Sequence, residues 1–77
     1  MKQRHLVCKR WSPEQSSNVA EVRYYGKPQH LDITFQNGKQ YRYFGVPVSI
    51  FKNAYHAASV GTYVSQCIKG SYQYEQQ

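Results

Sequence analysis

The stretch LDITFQNGKQYRYF, residues 31–44, leaves this chain few choices of fold. Leu31, Ile33 and Phe35 alternate with Asp32 and Thr34, and Tyr41 and Tyr43 alternate with Gln40 and Arg42. That is the period of two strands, each buried on one face. Asn37-Gly38 between them is a strong hairpin signal. Two registers compete. A two-residue turn at Asn37-Gly38 pairs Thr34 with Tyr41 and Asp32 with Tyr43. It puts both tyrosines on the polar face and Arg42 beside Ile33. A turn over Gln36-Asn37, with Gly38 as a left-handed bulge residue, pairs Phe35 with Lys39, Ile33 with Tyr41 and Leu31 with Tyr43. It also sets Asp32 opposite Arg42 and Thr34 opposite Gln40. Paired residues share a face, so only this register collects every apolar residue on one side. A slip of one residue reverses the faces, and burial penalises it. The bulged register is therefore expected. It turns Tyr41 and Tyr43 toward the core rather than offering them as a base-stacking platform.

The rest of the chain supplies what such a hairpin needs. VAEVRYY (19–25) alternates as a third strand, with Ala20, Val22 and Tyr24 inward and Glu21 and Arg23 outward. HLVCKRW (5–11) is a candidate fourth strand, and SPEQSSN (12–18) reads as a turn. Pro47 suits a helix start. The spacing of Ile50, Phe51, Ala54, Tyr55 and Ala58 predicts an amphipathic helix. Ser59 reads as the N-cap of a second helix, with Val60, Tyr63, Val64, Cys67 and Ile68 on its apolar stripe and Gly70 closing it. SYQYEQQ (71–77) reads as a tail onto which Tyr72 and Tyr74 can dock. The expected fold is α+β: an antiparallel three-stranded meander, with room for a fourth strand, followed by two short helices packed on one face. Its expected core is Val22, Tyr24, Leu31, Ile33, Phe35, Tyr41, Tyr43, Phe51, Tyr63 and Ile68. Gly38 and Pro47 serve the turns. Residues 1–15 form a basic arm, 16–74 a single domain, and 75–77 the tail.

At 77 residues the chain buries little surface, so association with a copy of itself stays open. No apolar run approaches membrane-spanning length, and the opening residues are too polar for a signal peptide. A cytoplasmic protein off the membrane is expected. Cys8 and Cys67 are expected as free thiols behaving as small apolar side chains. The net charge is +6, from ten Lys and Arg against four Asp and Glu. Lys2, Arg4, Lys9 and Arg10 precede the first acidic residue, so much of the excess sits in the arm. A basic arm attracts polyanions through counterion release.

Residues 16–25, 31–47 and 58–72 together resemble the KTSC domain. That short domain is found at the C-terminus of some lysyl-tRNA synthetases and as free-standing bacterial or phage proteins. The resemblance rests on Ser17-Asn18, Leu31/Ile33/Phe35, Gly38, Tyr41/Tyr43, Val46-Pro47 and Ser59/Gly61/Tyr63/Val64. The chain departs at Val64-Ser65, where Phe-Asn is more usual, and in GKPQH after the first of these strands. The resemblance implies a compact sheet-plus-helices domain and an association with RNA. It implies no catalytic residues.

Three function classes remain. A non-catalytic module that binds RNA or single-stranded nucleic acid would use Arg4, Lys9, Arg10, Arg23, Arg42, Lys69 and Tyr72, with Trp11 and Tyr25 as exposed stacking rings. A protein-interaction role would use a tyrosine-rich surface or a sheet edge. A small basic ribonuclease would use His30 and His56 as an acid–base pair. The histidines show no metal-ligand spacing, and no cofactor is expected.

Overall fold

The computed structural model describes residues 8–14, 16, 18–27 and 29–77, with the Cys8 side chain left aside. Arg4 and the rest of residues 1–7 lie outside the described residues. The elements run in the order β1 (Cys8–Trp11), β2 (Val19–Gly26), β3 (Gln29–Phe35), β4 (Gln40–Phe44), α1 (Val48–His56), α2 (Val60–Tyr63) and β5 (Tyr74–Gln76). A π-helical turn (Val64–Ile68) follows α2 directly. The strands form one antiparallel sheet in the order β1-β2-β3-β4-β5. The α+β class holds, with a five-stranded sheet and two short helices on one face.

The β3–β4 register is the bulged one. Leu31 pairs with Tyr43, Asp32 with Arg42, Ile33 with Tyr41 and Thr34 with Gln40. Phe35 N donates to Lys39 O at 2.8 Å, and Gly38 has φ +89°. The core packs the inner sheet residues Val19, Val22, Tyr24, Leu31, Ile33 and Tyr43 against Val46, Phe51, Val60, Val64 and Ile68. Phe35, Tyr41, Tyr63 and Tyr72 flank it, partly buried. The Tyr24 hydroxyl donates to Val46 O at 2.9 Å, so this buried phenol is satisfied. Pro47 is exposed and occupies the N-cap position of α1 rather than its first turn.

Four expectations change. Residues 75–77 are not a tail: β5 pairs Tyr41 with Gln76, Arg42 with Glu75 and Tyr43 with Tyr74, so β4 is an interior strand. A bulge between Val19 and Glu21 shifts the β2 register, and Val19 rather than Ala20 turns inward. The second helix is α-helical only to Tyr63. In the wider turn that follows, Lys69 N donates to Val64 O, and the additional residue puts Cys67 in solvent while Ile68 stays buried. Cys67 is thus a free, exposed thiol rather than a core residue. Finally, α1 stops at His56, leaving Ala58 exposed, and Tyr55 is 52% exposed at the rim of the apolar stripe.

Candidate nucleic-acid interface

The outer face of the sheet faces away from both helices. Cross-strand pairing lines up Arg10, Arg23, Asp32, Arg42 and Glu75 in one row across all the strands. Arg42 grips Asp32 in a two-pronged pair, Nε to Oδ1 at 2.9 Å and Nη2 to Oδ2 at 3.0 Å, and Gln40 Nε2 adds a bond at 3.4 Å. Asp32 is 2% exposed beneath these donors, while Arg42 is 33% exposed. The Asp32 carboxylate raises the Arg42 pKa and keeps its guanidinium charged. Arg23 Nε binds Glu21 Oε1 at 3.1 Å. Its pKa is raised first by the Tyr25 hydroxyl, then by Glu21. Tyr25 is half-buried, stacked on the His30 ring at 4.4 Å, with the Arg42 guanidinium 5.9 Å from its centroid.

This arrangement alters the meaning of two expected nucleic-acid ligands. Arg23 and Arg42 lie on the outer face as anticipated, but each already has a carboxylate. Glu75 joins the same row, because β5 is a strand. On the outer face Arg23 and Arg42 are therefore matched by carboxylates, and Arg10, at the β1 edge of the row, is left without one among the described residues. Lys69 and Tyr72 lie elsewhere, on the helical side: Lys69 Nζ sits 5.2 Å from the Phe35 ring, and Tyr72 packs on the core.

Three cations that form no ion pair among the described residues lie together at the sheet edge beside α1. Lys9 and Arg10 on β1 and Lys52 on α1 are exposed. Among the described residues none of them forms an ion pair. They surround a hollow of about 260 Å³, also lined by Trp11, Tyr55 and His56 and by no acidic residue. Trp11 is not a free stacking ring. It is partly buried against the core and meets Tyr55 edge-on at 5.0 Å. The alternation of β1 explains this: Lys9 and Trp11 share the helical side of the strand, while Arg10 pairs into the outer row. Tyr55 supplies the exposed ring in its place, with His56 edge-on at 5.2 Å. Lys52 and Tyr55 were missing from the nucleic-acid residues read from the sequence, and His56 was singled out there only as half of a ribonuclease pair. The helical spacing assigned Lys52 and His56 to a solvent face, but only the docking of α1 reveals which strand that face adjoins.

The suspected histidine pair does not converge. His30 lies on the outer sheet face and His56 ends α1 on the other side. Among the described residues no cluster of His, Cys, Asp or Glu could hold a metal ion, and no helix is long and apolar enough to cross a membrane.

The family profile described as the KTSC domain matches residues 15–72. The chain is 37% identical over 62 residues to a lysine–tRNA ligase of Trichormus variabilis, and 36% identical over 62 residues to one of Nostoc punctiforme. Each match covers 80% of this chain but 11% of the ligase, so the chain spans about a tenth of those relatives. The crystal structure of a KTSC domain protein from Yersinia pestis superposes with a TM-score of 0.82 at 28% identity, covering 92% of this chain and 99% of that one. By profile, sequence and fold alike, the chain belongs to the KTSC domain family.

Proposed function

We propose that this domain is a non-catalytic module that binds RNA or single-stranded nucleic acid through the β1–α1 surface. The observation that carries this reading is the hollow where Lys9, Arg10 and Lys52 meet the Trp11–Tyr55 ring pair without an acidic residue. Cations supply affinity for the phosphate backbone, and an exposed ring supplies sequence-tolerant stacking for a base. Lys2 and Arg4 precede β1 in the sequence and carry further positive charge. The resemblance to lysine–tRNA ligases, proteins whose name states work on a tRNA, favours RNA as the polyanion.

The test is fluorescence anisotropy of a labelled single-stranded RNA at low and near-physiological salt. Micromolar binding is expected, with affinity falling by about 0.7 log units per decade of salt for each phosphate neutralised. Replacing Lys9, Arg10 and Lys52 together by Gln should flatten that slope. Tyr55→Ala should cost about 1–3 kcal/mol of binding while leaving the slope intact. No binding at low salt, or binding indifferent to these residues, overturns the reading. Cleavage of the probe would instead favour the ribonuclease.

A second reading has its own observation. Phe44 is 41% exposed and Tyr74 is 61% exposed at the β4–β5 end of the sheet. A protein partner docking there would bind in a salt-tolerant way and would be lost on Phe44→Ala.

A further inference from the structure

A second cleft lies at the other end of the fold, between the β3–β4 hairpin and the π-helical turn. It holds about 450 Å³, within the usual range for small-ligand sites. Lys39 approaches from the hairpin and Lys69 from just after the π-helical turn. Both are exposed, and among the described residues neither has a carboxylate partner. No acidic residue lines the cleft. Two cations lining one hollow with no acidic residue favour an anion there. A phosphate group is an anion that lysine ammonium groups commonly hold as point charges.

The remaining lining specifies more than charge. Phe35 and Tyr41, packed edge-on at 5.7 Å, form an aromatic wall. Asn18 adds a side-chain amide able to read the edge of a planar heterocycle. A Cβ at Gly61 would stand 3.4 Å from Asn18 Nδ2, so the helix backbone borders that amide closely. Ser65, which also lines the cleft, belongs to the π-helical turn. Such turns are frequent at functional sites.

We infer that this cleft binds a phosphorylated small molecule bearing a planar, hydrogen-bonding ring, of which a nucleoside monophosphate is the simplest example. Lys39 and Lys69 hold the phosphate, Asn18 and Ser65 read the ring edge, and Phe35 and Tyr41 wall the ring. The site shares no residue with the β1–α1 surface, so it stands or falls independently of the RNA reading.

The experiment titrates the isotope-labelled full chain with each of the four ribonucleoside 5′-monophosphates, and separately with inorganic phosphate and adenosine, following backbone amide shifts. Saturable shifts at Asn18, Lys39, Ser65 and Lys69 are expected with at least one nucleotide, and weaker ones with phosphate or nucleoside alone. Lys39→Gln combined with Lys69→Gln should weaken nucleotide binding about ten- to hundredfold, as expected for lost charge-assisted contacts, with the melting temperature unchanged. Asn18→Ala should weaken it while both lysines remain. Three results would overturn the inference: no saturable shift at these amides at millimolar nucleotide, equal binding of inorganic phosphate alone, or full affinity in the double lysine variant.

Discussion

Asp32 is the residue whose surroundings demand most from its neighbours. A carboxylate at 2% exposure is costly unless its oxygens are satisfied, and here Arg42 and Gln40 satisfy them. Arg42→Ala would leave that charge without its main partner. It should cost about 2–3 kcal/mol, toward the low end for a broken buried pair because Arg42 is itself partly in water. Urea unfolding measures this, and Asp32→Asn in the Arg42→Ala background should recover part of the loss. The tyrosines make a different prediction. Burial pushes the Tyr43 phenol above its ordinary value, with Tyr41 and Tyr74 adding to it, and burial raises Tyr24 likewise. The unfolded chain therefore loses these protons first. Their contribution is complete below about pH 10 and drains away as pH climbs through the raised native values. Thermal melts from about pH 8 to about pH 11 should show the decline, and Tyr43→Phe should reduce it.

At the scale of elements, the hairpin was legible and the last strand was not. The β3–β4 register could be read because one alignment alone separates Leu31, Ile33, Phe35, Tyr41 and Tyr43 from Asp32, Thr34 and Arg42. Gly38→Ala checks the bulge. Nothing lies within 4 Å of the added carbon, so the cost is that of a left-handed backbone alone, roughly 1–2 kcal/mol. By contrast, Tyr74, Glu75 and Gln76 are all exposed, so no alternation marks them as a strand. Their role lies in backbone pairing, bracketed by Phe44 N to Gln73 O and Gln77 N to Gln40 O, each 2.8 Å. Deleting residues 73–77 should lower the melting temperature and promote self-association through the bared β4 edge, a change that light scattering would detect. The π-helical turn was equally hidden, since the spacing of Val60, Val64 and Ile68 fits a regular helix as well. The candidate interface was half legible for a related reason. Lys9 and Arg10 stood out as an acid-free run, whereas Lys52, Tyr55 and His56 join them only through the packing of α1.

At the scale of the whole molecule, the charge arithmetic understated how unevenly the charge is used. A net +6 spread over a small domain suggests a general attraction to polyanions. The fold instead places Glu21, Asp32 and Glu75 on the outer face beside Arg23 and Arg42. Uncompensated cations remain at the β1–α1 edge and in the hairpin cleft. The sheet order has a consequence of another kind. Every strand in β1-β2-β3-β4-β5 lies beside its neighbour in the chain, so no crossover has to be closed before pairing is rewarded. The search for the native arrangement can advance one turn at a time. The longest wait is for β5, which pairs only after the chain has passed through both helices. Stopped-flow refolding should therefore show a main phase on the order of milliseconds. Loss of residues 73–77 should speed unfolding and leave that phase almost unchanged.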